Sequence, residues 1–415
     1  KQILYKYQSG FRKNFSTISC LSYLCDKILR GFDKRIFTGM ILIDLQKAFD
    51  TLDHEILLNK LPFFGFSKEA VLWFRSYLSD REFKVNINTV FSETGAITCG
   101  VPQGSILGPL LFLLYVNDIS QSVESELLLY ADDTCLIYQH QNIDVIEEKL
   151  NTDFSNLCDW FVDNRLSIHF GKDKTKCILF GSKYKIKQAK TLNIVYDDIK
   201  IHQYNKVNYL GCILDSTLSG EPMALLSINK INSRLKFLYR QNKFLTKSLR
   251  RLLCNAIIQP FFDYACSTWY PNLTVNLSKR LQCSQNKCIR FCLSLGNRTT
   301  ITNKHFEEIN WLSVKDRFFQ SVSTNVFKFF NFGGPGYMSE LFFPADQNGP
   351  ETRFSCKKLI LPSRKSNAGL HSLSYLGPSI WNKLPSTLKL SQNSNTFKHN
   401  LKKYFFSEQR KLSIQ

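Results

Sequence analysis

From Met40 to Ile43 the chain runs without a polar residue and then meets Asp44, the pattern of a buried strand ending on an acid. A helix is expected through HEILLNKL, and a second from Ser67, which fits an N-cap, to Leu78. Alternation at Phe83, Val85 and Ile87 predicts a hairpin in EFKVNINTVFSETGAITCG. GVPQGSILGPLLFLLYVNDI reads as a Gly/Pro loop running into an apolar helix, with Pro109 near its first turn. In LLLYADDTCLIY two apolar runs flank Asp132 and Asp133, as strands flank a hairpin tip. Ile143, Ile146, Leu150, Phe154, Leu157 and Phe161 then fall on one helix face, with Asn142 as its cap. KTKCILFG and NYLGCILDS each read as a strand.

These elements alternate up to about residue 220, which predicts an α+β architecture. From Glu221 the chain turns mostly helical, basic and aromatic, and NFGGPGY (Asn331 to Tyr337) marks a further break. Three regions are therefore expected: 1–220, 221–330 and 331–415. In the last, FKHNLKKYFF predicts a short helix with Phe397 and Leu401 on one face.

Charge narrows the function. The 415 residues carry a formal net charge of +20, which favours a polyanionic partner, nucleic acid before membrane. The longest apolar run, in GPLLFLLYV, is too short for a span of about 20 residues, and the first residues form no signal peptide. The 13 scattered cysteines read as reduced thiols inside a cell. Cys283, Cys288 and Cys292 lack a His at zinc spacing and read as structural. The chain begins without Met, so it is read as cut from a longer product.

Asp44, Asp132 and Asp133 each sit at a strand end or hairpin tip. Taken alone, an Asp-Asp pair is as compatible with turn chemistry as with a site. Three clustered carboxylates cannot all ionise without a cation. A pair of Mg²⁺ ions resolves this, since Mg²⁺ takes oxygen ligands and pairs with phosphates, and two ions serve nucleotidyl transfer.

The motifs resemble those of reverse transcriptases. ILIDLQKAFD resembles motif A and YADD motif C. GVPQGSILGPLLFLLYVND resembles motif B in the form typical of non-LTR (LINE-type) retrotransposons. QSGFRKNFST resembles the segment preceding motif A, NRLSIHFGKDKTKCILFG motif D and NYLGCIL motif E. IWNKLP and FKHNLKKYF resemble the end of the second open reading frame of jockey-like elements. The resemblance implies a right-hand polymerase: a palm with partial fingers over 1–220, a helical thumb over 221–330 and a basic region over 331–415.

It further implies RNA-directed DNA synthesis on an RNA template from a DNA primer, with dNTPs and two Mg²⁺ ions, which Mn²⁺ can replace. Asp44 and Asp132 would be the main metal ligands, Asp133 the third acid, and the carbonyl of Leu45 a further ligand. Phe49 falls at the steric-gate position, where a ring would collide with a ribose 2′-OH. Gln103 and Gly104 would line the nucleotide pocket, Gly104 letting the backbone approach closely. Lys174, flanked by Lys172 and Lys176, would be the general acid for the departing pyrophosphate. Tyr209, Leu210 and Gly211 would form the primer grip.

Other residues take plainer roles. Asp50 is expected to be structural, as a helix cap, with Lys47 part of the LINE form of motif A. His54 and His169 have no second ligand at metal spacing. Phe237, Tyr239 and Trp269 are expected in the core, among helices whose Lys and Arg contact phosphates.

The family carries upstream fingers sequence and an endonuclease domain, and this chain begins too late to hold either, so it is expected to be N-terminally truncated. Arg12 is not assigned the role of the missing fingers arginine. Its setting would be a cytoplasmic ribonucleoprotein and the nucleus. The competing reading is a catalytically inactive nucleic-acid-binding remnant. A telomerase or group II intron maturase is disfavoured by the form of motif B and by IWNKLP.

Overall fold

The computed structural model describes residues 3–171, 173–345 and 358–414, so Lys172 and part of the C-terminal region lie outside it. The chain divides into two compact units. The first holds Lys1–Thr17, Ile36–Phe180 and Tyr184–Asn205; the second holds Ile18–Arg35, Gly181–Lys183 and Lys206–Gln415.

The first unit is built on a four-stranded antiparallel sheet of β1 (Phe37–Ile43), β2 (Glu126–Tyr130), β3 (Asp133–His140) and β4 (Lys176–Phe180), in the order β2-β3-β1-β4. All seven residues of β1 are buried, Thr38 included, as its place between two neighbouring strands and its apolar run Met40–Ile43 require. Its register against β3 runs from Phe37 opposite His140 to Ile43 opposite Thr134. The helix Ile143–Asp163 packs on this sheet through Ile146, Leu150, Phe154, Leu157 and Phe161, all buried, and Asn142 caps it by accepting from Asp144 N–H.

Ser67 caps the helix Lys68–Leu78 as expected, accepting from Ala70 N–H. The cap at the start of the helix His54–Lys60 is Asp53, which accepts from Ile56 N–H, and not Asp50. The 81–97 hairpin forms as two short ladders, Arg81–Phe83 with Gly95–Ile97 and Asn86–Ile87 with Val90–Phe91. Its apolar residues Phe83, Val85, Ile87 and Phe91 are exposed.

The second unit is mainly helical. Helices include Glu221–Arg240, Lys247–Ile257, Val275–Leu293, Val314–Phe332, Leu373–Lys383 and Ser394–Ile414. The first of these starts directly after Gly220. NYLGCILDS is not one strand. It folds into a hairpin of β5 (Lys206–Tyr209) and β6 (Cys212–Asp215), because Leu210 and Gly211 both take positive φ, 46° and 74°, the requirement of a tight two-residue turn. Phe397 and Leu401 are fully buried, and Phe397 stacks on Phe327 at 4.2 Å. Their helix is 21 residues long, more than the short element expected.

Among the described residues no helix is long and apolar enough to cross a membrane.

Candidate active site

The sheet brings two distant acids to one end. Asp44 directly follows β1, and Ala131 and Asp132 form the turn between β2 and β3, with Tyr130 paired to Asp133. Because β1 and β3 are neighbours and Ile43 sits opposite Thr134, the Asp44 and Asp132–Asp133 positions share that end. Ala131 takes φ 58°, the left-handed conformation a two-residue hairpin turn demands.

Past β1 the chain keeps pairing. His169 N–H donates to the Asp44 carbonyl and Gln46 N–H to the Ser167 carbonyl, both at 2.8 Å. Leu45 and Ile168 between them form a non-hydrogen-bonded pair, so the Leu45 carbonyl points away from residues 167–169. Asp44 N–H donates to Thr175 Oγ1 at 3.3 Å. Lys174, beside that threonine, reaches Asp44 Oδ2 with its Nζ at 3.1 Å.

The electrostatics are those of crowded carboxylates. Burial and the charges of Asp132 and Asp44 push the Asp133 carboxyl up to about 6, although its side chain opens to solvent on one side. Asp132 is also raised, by burial first and then by the charge of Asp44, while its own backbone N–H offsets part of this. Among the described residues no three His, Cys, Asp or Glu side chains stand close enough together to hold a metal ion. The acids thus feel one another's charge without forming a closed cage.

Phe49 is half-buried, stacked on Phe112 with ring centroids 4.4 Å apart, and Phe11 meets it edge-on at 6.1 Å. Gln103 Nε2 donates to Asp50 Oδ1 at 2.8 Å, and Val101 N–H donates to the Phe49 carbonyl at 2.8 Å. These bonds tie the PQG loop to the segment after Asp44. Gly104 takes φ 84° with nothing within 4 Å of where a Cβ would stand. Its glycine answers a backbone conformation, with no protein atom crowding it.

His54 and His169 have structural partners: His54 Nε2 donates to the Gly100 carbonyl at 2.7 Å, and His169 Nδ1 accepts from Gly171 N–H at 3.0 Å. Cys288 and Cys292 are buried free thiols and Cys283 is an exposed one. In the second unit, Tyr209 is buried, and the Leu210 carbonyl accepts from the Tyr264 hydroxyl. Trp269 is in the core as expected, but Phe237 and Tyr239 are exposed, since they stand on either side of the buried Leu238 on the helix Glu221–Arg240; Tyr239 still meets Phe291 edge-on at 4.8 Å.

Sequence reasoning gave no role to Gln8. It is 2% exposed, and its side chain bonds to the backbone of Ala131. The only signal was its place in QSGFRKNFST, and its partner lies more than a hundred residues away.

Residues 2–214 match the family described as reverse transcriptase (RNA-dependent DNA polymerase). The chain is 28% identical over 308 residues to the Drosophila melanogaster protein named "Probable RNA-directed DNA polymerase from transposon X-element", covering 69% of this chain and 31% of that protein. It is also 28% identical over 222 residues to the RNA-directed DNA polymerase from mobile element jockey of Drosophila funebris, covering 52% of this chain and 24% of that one. The chain thus spans about a quarter to a third of the length of these two relatives. Among solved structures, telomerase from Candida albicans in complex with a fragment of telomeric RNA aligns with a TM-score of 0.34 at 12% identity, over 81% of this chain and 55% of that chain.

Proposed function

Since the chain belongs to the reverse transcriptase (RNA-dependent DNA polymerase) family, we propose that it extends a DNA 3′-OH along an RNA template. The relatives it resembles include non-LTR retrotransposon polymerases such as those of X-element and jockey. The observation that carries the reading is the placement of Asp44 and Asp132 at the same end of neighbouring strands, with Asp133 beside them.

The donor chemistry suits Mg²⁺, since the carboxylates of Asp44, Asp132 and Asp133 and the outward carbonyl of Leu45 are hard oxygen donors, though the three carboxylates are not gathered around one point in this structure. The raised carboxyls of Asp132 and Asp133 are what such a set shows when nothing cancels its charge. When bound, Mg²⁺ would lower the pKa of the primer hydroxyl and stabilise the charge leaving on pyrophosphate. The chain's own residues do the rest. Lys174 holds a proton at its Nζ for the departing pyrophosphate. Phe49 closes the space a ribose 2′-OH would need, because a ring packed on Phe112 cannot move cheaply. Gln103 and Gly104 shape the nucleotide pocket. The turn at Tyr209, Leu210 and Gly211 holds the primer strand.

We assign the first unit to the palm with partial fingers and the helices after Gly220 to a thumb whose Lys and Arg contact phosphates. The net charge of +20 supports nucleic-acid partners.

Primer extension on an RNA template with dNTPs and Mg²⁺ tests this, beside Asp132→Asn/Asp133→Asn and an RNA-binding assay. Extension lost in the variant with RNA binding kept is the expected result. RNA binding without extension by the unmodified chain would reduce it to a binding remnant.

A further inference from the structure

We infer that Gln8 is a positioning residue that clamps the turn carrying Asp132, a role that rests on the polymerase reading above. Its Oε1 accepts from Ala131 N–H at 3.0 Å and from Gly10 N–H at 2.8 Å. Its Nε2 donates to the Ala131 carbonyl at 3.4 Å. One buried amide therefore holds both backbone polar atoms of the residue next to Asp132.

The need for a clamp is local. Ala131 carries a Cβ yet takes φ 58°, a conformation that L-residues avoid and that persists only when the surroundings enforce it. The enforcement comes from a segment that is itself fixed. Ser9 N–H donates to the Leu129 carbonyl at 2.7 Å and Leu129 N–H to the Tyr7 carbonyl at 3.1 Å, laying residues 7–9 parallel to β2. Arg12 Nη1 donates to the carbonyls of Gln8 and Tyr5 at 2.8 and 2.9 Å, bracing the far side. The approach is close: a Cβ on Gly10 would stand 2.3 Å from Ala131 N.

The residue type follows from the task. An amide offers an acceptor and a donor on two separate atoms, so it can bond Ala131 N–H and C=O at once, without adding a charge beside two carboxylates already crowded. Methionine would fill the same volume and leave the Ala131 N–H orphaned in a buried place, which selects against it. Displacement of Ala131 would move Asp132 directly, since the two share a peptide bond, and sub-ångström errors in a reacting constellation cost large factors in rate.

The test uses the full chain with Gln8→Met, which removes all three bonds, and Gln8→Glu, which keeps the acceptor. Amide hydrogen exchange is read in a peptide covering 129–134 and in one covering β1, beside kcat, dNTP KM and RNA affinity. Gln8→Met should speed exchange at 129–134 at least tenfold with β1 unchanged. It should lower kcat at least tenfold while dNTP KM and RNA affinity stay within threefold. Gln8→Glu should restore the protection and part of the rate. A Gln8→Met kcat within threefold of the parent, or equal loss of protection across β1, overturns the clamp.

Should Gln8→Met not fold, Gln8→Glu decides. Protection at 129–134 kept near the parent level supports the clamp, and protection lost there overturns it. A parent chain that extends no primer yet shows the exchange contrast sinks the polymerase reading and leaves the clamp standing.

Discussion

Lys174 Nζ lies 3.1 Å from Asp44 Oδ2, and both side chains are well exposed, at 50% and 37%. A pair so open to water contributes under about 1 kcal/mol to stability. Its worth must lie elsewhere. Lys174→Met should leave the denaturation midpoint almost unmoved and lower kcat by about 100-fold, the range expected for loss of a general acid. Pre-steady-state incorporation reads this. A rate within threefold of the parent would remove the assignment.

Asp133 gives a pH signature. Its folded carboxyl sits near 6 against 3.8 for the free group, raised by burial and by the charges of Asp132 and Asp44. The folded state thus holds a proton that the unfolded state has already lost. Relative to Asp133→Asn, the metal-free protein should lose stability as pH rises from about 4 through 6, then level off. Mg²⁺ should stabilise the parent above about pH 6 and progressively less below it, because ligands must be deprotonated. Thermal melts with EDTA and with Mg²⁺ across pH 4–8 check both slopes.

Phe49 is wedged between Phe112 and Phe11. Phe49→Ala should admit ribonucleotides, lowering the dNTP-over-NTP ratio of kcat/KM by about 10- to 100-fold. The same change should cost about 1–3 kcal/mol, less than for a fully enclosed ring. Unchanged sugar selectivity in single-nucleotide incorporation would discard the gate.

Gly104 has space for a side chain but the wrong backbone angle for one, φ 84° with no atom within 4 Å. Gly104→Ala should therefore cost about 1–2 kcal/mol from conformation alone. Urea denaturation measures it, and a much larger loss would overturn a purely conformational cost.

The parts legible in the sequence were those whose signal is local. The apolar run Met40 to Ile43 marked a buried strand, and Asn142 and Ser67 announced the helices they cap. The adjacency of Asp44 to Asp132 was foreseen through motif resemblance, and the β1–β3 register supplies its physical cause. What failed was tertiary or depended on backbone angle. Positive φ at Leu210 and Gly211 split an apolar run that otherwise reads as one strand. Phe237 and Trp269 are both aromatic residues in helical segments, yet one faces water and the other is enclosed, which depends on neighbours and not on residue type. Asp53 and Asp50 stand three positions apart and are equally suited to capping; the helix start chose the former. Gln8 was silent because both of its Ala131 bonds reach across 123 positions.

The register of β1 against β3 also sets a schedule for biosynthesis. Met40 pairs with Ile137, so when β1 leaves the ribosome nearly a hundred residues must still be made before its partner exists. At about 5–20 residues per second that is a wait of roughly 5–20 seconds. Through that interval a seven-residue, mostly apolar segment travels unpaired, an open invitation to chaperones and to aggregation.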